Sequence, residues 1–306
     1  MSIASAIFMV RPAAFGYNPE TSASNEFQQK ENSASGNDLQ MHAVKEFDAF
    51  VNKLKEHKIN VTVFQDSELP VKPDAIFPNN WLATMPDGQL IIFPMEAANR
   101  RIERSESIIQ FFKENYFVHS FLDLSENESQ QKFLEGTGSI IMDHANKKMY
   151  ACISSRTNKN LFIQFAKGNH YEPIYFDASL KNGKAIYHTN VMMHVGEKYA
   201  VICTDCIQNA GEKKWVVDSL KETGKKIVDI TIDQMKSFAG NMLQVKNTDG
   251  NNFTIMSQAA FDSLSPVQKE PISLESTLLP ISIHSIETAG GGSVRCMMAE
   301  IFLDCK

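Results

Sequence analysis

The sequence predicts an α/β fold: a fivefold pseudosymmetric propeller of ββαβ-type modules around a central pocket. Three observations lead there. A unit of helix, short strand, polar loop and apolar hairpin can be read five times along the 306 residues. Five polar residues (Asn80, Glu135, His188, Asn241 and Cys296) open the hairpins, 55, 53, 53 and 55 positions apart. Spacing this even marks a repeated architecture. Radial repetition of small sheets, finally, brings equivalent strand ends to one axis. The length then serves one domain, 1–306, rather than two.

In the first unit, His42–His57 carries Val44, Phe47, Phe50, Val51 and Leu54 at helical spacing. The strand Asn60–Phe64 follows, then a hairpin from Trp81–Met85 to Gln89–Phe93. Pro86-Asp87-Gly88 turns that hairpin, and Asp-Gly between apolar runs is a strong turn signal. The second unit has a helix at Arg101–Asn115, a strand at Val118–Leu122 and a hairpin from Ser139–Met142. The third has Lys159–Gly168, Pro173–Phe176 and Val191–Val195. The fourth has Lys213–Gly224, Lys226–Ile230 and Asn241–Val245. The fifth has a helix over Gln258–Lys269 and strands at Leu278–Ile283 and Val294–Phe302. Its missing return strand is expected from the other end of the chain, at Ile3–Val10.

A net charge of −6 argues against a nucleic-acid surface. No apolar run nears the roughly 18 residues of a membrane span. The N-terminus lacks a basic segment before a long apolar one, so no secretion signal is expected. Five unpatterned cysteines fit a reducing compartment, and the expected location is cytoplasmic. Cys203-Thr204-Asp205-Cys206 is a single CxxC without a second ligand pair, so neither metal nor cofactor is expected. P-loop, dinucleotide and HExxH patterns are absent from the sequence.

Cys296 follows Gly290-Gly291-Gly292, and consecutive glycines before a strand mark a close approach or a sharp turn. A buried core cysteine is the plainer alternative. His188 would stand opposite Cys296 if the units close, where an imidazole can stabilise a thiolate or carry protons. Otherwise it is a loop histidine. Glu135 and Asp74 lie among apolar and small neighbours, either as turn carboxylates or as acceptors for an N–H-rich ligand. The set says more than its members. A guanidinium offers five N–H donors in a plane and calls for carboxylates. Its carbon resists water, so a thiolate that splits the step helps, with a histidine to manage protons. Arg156 could bind a substrate carboxylate or lie on the surface at a helix start. The polar stretch Phe15–Asn37 suits a lid or a mobile loop.

Several segments together resemble the arginine deiminase and amidinotransferase superfamily, the pentein fold, along almost the whole chain. They are Met9-Val10-Arg11-Pro12, Asp74-Ala75-Ile76-Phe77-Pro78-Asn79-Asn80-Trp81, Glu135-Gly136, Ser154-Ser155-Arg156-Thr157-Asn158, His188-Thr189-Asn190, Asn241-Met242 and Gly290–Cys296. The nearest likeness is to citrulline-utilisation hydrolases. The resemblance implies Cys296 as nucleophile, His188 as general acid and base, and Glu135 as its orienter and an anchor for substrate nitrogen. Asp74 would bind guanidino or ureido nitrogens and Arg156 the α-carboxylate. Phe77, Asn80, Asn190 and Asn241 complete the expected substrate-binding set.

Two departures matter. Asn190 stands where deiminases commonly carry aspartate, and Gly138 where a second acid often follows Glu-Gly. Both remove negative charge, which favours a neutral ureido amino acid such as citrulline over an arginine-like one. Amidino transfer to an amine, or binding without catalysis as in ribosome anti-association factors of similar fold, are the rival readings. The expected partner is a small guanidino or ureido amino acid, and the oligomeric state is open, with a homodimer among the options.

Overall fold

Each expected unit folds as a three-stranded sheet in which an antiparallel hairpin is followed, through helical segments, by a third strand parallel to its second. The structure, a computed structural model, describes residues 3–29 and 36–306. In chain order the strands are β1 (Ala6–Arg11), β2 (Asn60–Gln65), β3 (Leu82–Thr84), β4 (Gln89–Ile92), β5 (Ser120–Asp123), β6 (Ile141–Asp143), β7 (Lys148–Ile153), β8 (Glu172–Asp177), β9 (Met193–Val195), β10 (Tyr199–Ile202), β11 (Lys226–Asp229), β12 (Leu243–Lys246), β13 (Asn252–Ser257), β14 (Thr277–Ile281) and β15 (Ala299–Ile301). Among the described residues the sheets run β3-β4-β5, β6-β7-β8, β9-β10-β11, β12-β13-β14 and β15-β1-β2. The last joins the two chain ends, as the symmetry of the units suggested: Ala6 pairs with Ile301 and Phe8 with Ala299, antiparallel.

Helices cover the sheets through their apolar stripes. In the helix Gly36–Glu56, Phe47, Phe50 and Leu54 are almost wholly buried, each contributing about 1.5–3 kcal/mol by leaving water. The core sits between sheets and helices, with Trp81, Tyr150, Tyr199 and Phe8 among its largest members. Innermost strands of neighbouring sheets touch, β3 with β15 and β6 with β9. Among the described residues no helix is long and apolar enough to cross a membrane.

Several expected elements differ. The helix expected at Arg101–Asn115 is a 3-10 segment, Ala98–Glu103, then a helix Glu106–Asn115. The break lets Arg100 and Glu103 turn inward and pair. The helix expected over Gln258–Lys269 divides into Gln258–Ser263 and Pro266–Ser273, because Ser265 and Gln268 form a capping box with Pro266 at the first position. The strand expected at Val294–Phe302 shrinks to β15, since Cys296, Met297 and Met298 donate their N–H groups three residues back, in turns. The same holds in the other units. The polar residues lie at turns just ahead of the inner strands rather than in them: Asn80 ends the 3-10 turn Pro78–Asn80, while Glu135 and His188 cap four-residue helices.

Candidate active site

Those turns bring distant residues to one small cavity, enclosing about 280 Å³ and lined by Asp74, Phe77, Asn80, Arg156, His188 and Cys296 among others. A wider cavity of about 820 Å³ beside Phe238 and His284 has no thiol among the described residues of its wall.

His188 Nε2 lies 2.7 Å from Glu135 Oε2, and both side chains are buried. Glu135 Oε1 accepts the Glu96 N–H, and Arg156 Nη1 stands 3.6 Å from Oε2. Burial alone would raise the Glu135 carboxyl, but Arg156, the bond to His188 and Arg100 bring it down to about 2. Burial, outweighing Glu135, lowers His188 to about 4. The pair at neutral pH is therefore a carboxylate and a neutral imidazole. The carboxylate accepts from Nε2, so the proton sits there and Nδ1 is left as an acceptor.

The Cys296 sulfur accepts hydrogen bonds from Asn241 Nδ2 at 3.3 Å and Asn190 Nδ2 at 3.4 Å. Asn241 is anchored by its own backbone bonds: Nδ2 also donates to Asn190 O, and Oδ1 accepts the Arg295 N–H. Asn190 and Asn241 thus stand against the thiol, and neither lines the cavity.

Asp74 Oδ2 accepts from Asn18 Nδ2 and Thr21 Oγ1, while Oδ1 is buried without a partner. Asn80 Oδ1 accepts from Arg100 Nη1 at 2.8 Å, which fixes the amide, and its Nδ2 is left buried and unpartnered. Gly138, where a second acid was absent, has a steric reason for being bare. A Cβ there would collide with Asn80 Nδ2 and the His188 ring.

From the polar stretch, Thr21 and Asn25 line this cavity; residues 30–35 lie outside the described residues. Arg156, expected at a substrate carboxylate, here donates to Thr21 O and Ser24 Oγ and stacks on Tyr187. Asn25 Nδ2 and Tyr187 Oη both donate to Gly291 O. Gly291 has φ +63, and a Cβ there would strike Gln28. Gly291 therefore answers the close approach of this segment, while Gly290 and Gly292 make room for the Phe77 ring.

Sequence reasoning missed Arg100, Glu103, Tyr187, Thr21 and Asn25. Arg100 and Glu103 carried a faint signal, an Arg–Glu pair three apart. Arg100 holds the Asp74–Asn80 loop by donating to the carbonyls of Asp74 and Phe77, with its charge matched by Glu103. Burial raises the Glu103 carboxyl to about 7 despite that pairing. Arg100→Ala strands this acid in the interior. Urea unfolding is expected to record a loss of about 3–5 kcal/mol; a loss below about 1 kcal/mol would contradict the account.

Cys203 and Cys206, the CxxC pair, are buried with sulfurs 3.4 Å apart, away from the cavity. Among the described residues no grouping of three or more His, Cys, Asp or Glu could hold a metal ion.

A family model described as "N,N dimethylarginine dimethylhydrolase, eukaryotic" matches residues 11–303. The N-terminal domain of ArgZ, an arginine dihydrolase from the ornithine-ammonia cycle in Cyanobacteria, is 14% identical with a TM-score of 0.74, over 96% of this chain and 97% of that one. A variant of the same domain, covalently bound to a reaction intermediate, is 15% identical with a TM-score of 0.73, over 96% and 97%. A dimethylarginine dimethylaminohydrolase carrying a pyridine adduct is 13% identical with a TM-score of 0.66, over 98% and 100%. At these identities the likeness is one of fold. No curated protein matches the chain in sequence.

Proposed function

Because the chain belongs to the N,N dimethylarginine dimethylhydrolase family, within the pentein superfamily of guanidino-modifying hydrolases, we propose that it hydrolyses the ureido group of a small amino acid such as citrulline. One observation carries this reading. Among the described residues that line the cavity, two buried side-chain atoms have no partner: an acceptor, Asp74 Oδ1, and a donor, Asn80 Nδ2. A ureido group presents both N–H and C=O and satisfies the two. A guanidinium has no acceptor, so it leaves the Asn80 amide orphaned at a cost of about 1–3 kcal/mol.

The chemistry follows from the residues. Cys296 Sγ attacks the ureido carbon as its proton leaves for His188 Nδ1. The bond to the terminal nitrogen breaks as His188 returns that proton, and ammonia departs. Water, deprotonated by His188, then cleaves the S–C bond. The freed carbamate falls to amine and carbon dioxide, so citrulline plus water gives ornithine, carbon dioxide and ammonia. Glu135 holds the imidazole and stabilises its cationic form. Arg156 takes the substrate carboxylate once residues 18–29 withdraw. The five units close on one another as one propeller domain, which supports the meeting of these turns.

Hydrolysis of an arginine-type guanidino group is the second reading, favoured by the negative Asp74 and by the arginine-directed relatives. A panel of citrulline, arginine, agmatine and N-methylated arginines, scored for ammonia and amino-acid product, separates them. Citrulline is expected to give the highest kcat/KM, with ornithine as product. Ornithine absent from every reaction would remove the ureido reading. An amidino adduct appearing when glycine is added would mark a transferase, and silence on all compounds would favour a binding protein.

A further inference from the structure

The amides of Asn190 and Asn241 converge on the one atom the reaction needs ionised. Among the described residues, the Cys296 sulfur accepts hydrogen bonds from these two side chains alone. The charged and titratable groups around the cavity (Asp74, His188 with Glu135, Arg100, Arg156 and Tyr187) make no hydrogen bond to it. Asn241 cannot turn its amide over, because Oδ1 holds the Arg295 N–H and Nδ2 holds Asn190 O. Its N–H is therefore aimed at sulfur by the backbone. Asn190, fully buried, spends its side-chain amide on sulfur and leaves Oδ1 without a partner. An orphaned carbonyl oxygen is costly, and a donor bond to a developing anion is the compensation this placement offers.

We infer that Asn190 and Asn241 form a two-amide cradle for the Cys296 thiolate, and that they are catalytic residues of the nucleophile rather than contacts for the substrate. This rests on the reading of Cys296 as nucleophile. Hydrogen bonds to the charged form favour that form. When the thiol proton leaves, the new charge meets two prealigned N–H groups. When the S–C bond forms, the charge leaves sulfur and the donors relax. At position 190 an aspartate would do the reverse, setting a negative charge against sulfur and removing a donor.

The test is the pH profile of Cys296 alkylation by iodoacetamide in the full-length protein, followed on the peptide that carries it, so that the exposed Cys305 does not confuse the rate. Asn190→Asp is nearly isosteric and its side chain has no other hydrogen-bond partner. Its profile midpoint is expected to rise by about one unit, slowing alkylation about tenfold at neutral pH. Turnover should fall alike and recover as pH rises. Asn241→Asp, which keeps the acceptor for Arg295, should shift the midpoint in the same direction. Unmoved midpoints in both folded variants would overturn the cradle, as would unfolding of both, which would make the amides backbone supports. Alkylation needs no substrate, so it stands apart from the proposed function. A shifted midpoint with no ammonia from any compound would sink the activity and leave the cradle.

Discussion

Cys296→Ser is expected to lower kcat by about 10⁴-fold or more while leaving the unfolding transition where it was. The hydroxyl is a far weaker acid than the thiol, so the attacking anion is scarce at neutral pH. Its volume is nearly that of the thiol, and among the described residues the sulfur's hydrogen bonds come from the Asn190 and Asn241 amides, which can also donate to an oxygen. The variant should therefore still bind substrate, and isothermal titration should record an affinity close to wild type. It is also the form most suited to trapping a bound ureido or guanidino compound, because the first bond cannot form. Wild-type turnover in Cys296→Ser would remove the nucleophile and with it the account of the pocket. A loss of fold would instead mean that the thiol serves packing.

The repeat was legible because its signals are local. Helical stripes and the Asp87-Gly88 turn are set by nearby chain, and the symmetry of the units suggested a return strand at Ile3–Val10, which the structure has as Ala6–Arg11 paired with Ala299–Ile301. The site was legible for residues whose chemistry is rare in a small setting: a thiol after three glycines, a histidine and two acids. Arg100 was not, because its partners are backbone carbonyls and the Asn80 amide, and such contacts leave no pattern in spacing. Nor was the work of Asn190. Its identity suggested a contact to substrate, whereas the turn that follows His188 swings it onto the sulfur. The sequence shows Phe15–Asn37 as a polar stretch suited to a lid or a mobile loop, but not its contacts, because Thr21, Ser24 and Asn25 reach Asp74, Arg156 and Gly291 across more than 50 residues of sequence. Helix bounds failed where tertiary pairing or a cap outranked periodicity, as at Arg104 and at Ser265.

His188→Ala is expected to cut kcat by about 10²–10⁴-fold, the usual worth of a positioned proton carrier. The more telling readout is the acid side of the pH profile. In the wild type, burial lowers His188 to about 4 against an ordinary 6.5, so the imidazole stays neutral through the range where an exposed histidine would charge. The acid limb of kcat/KM should thus fall near pH 4. Because Glu135 raises the proton affinity of the imidazole, Glu135→Gln should push the limb lower still. Stability gives a second check with a definite sign. Between about 6.5 and 4 the unfolded chain binds a proton on His188 that the folded chain refuses, so this residue makes stability rise with pH across that window. His188→Ala removes that slope, while the opposing contributions of Glu103 and Glu287, each raised by burial to about 7, remain. The variant's unfolding free energy should consequently gain less than the wild type's between pH 4 and 6.5. If the acid limb sits near 6.5 in the wild type, or survives unchanged in the variant, the proton carrier is another group and the His188–Glu135 bond is structural.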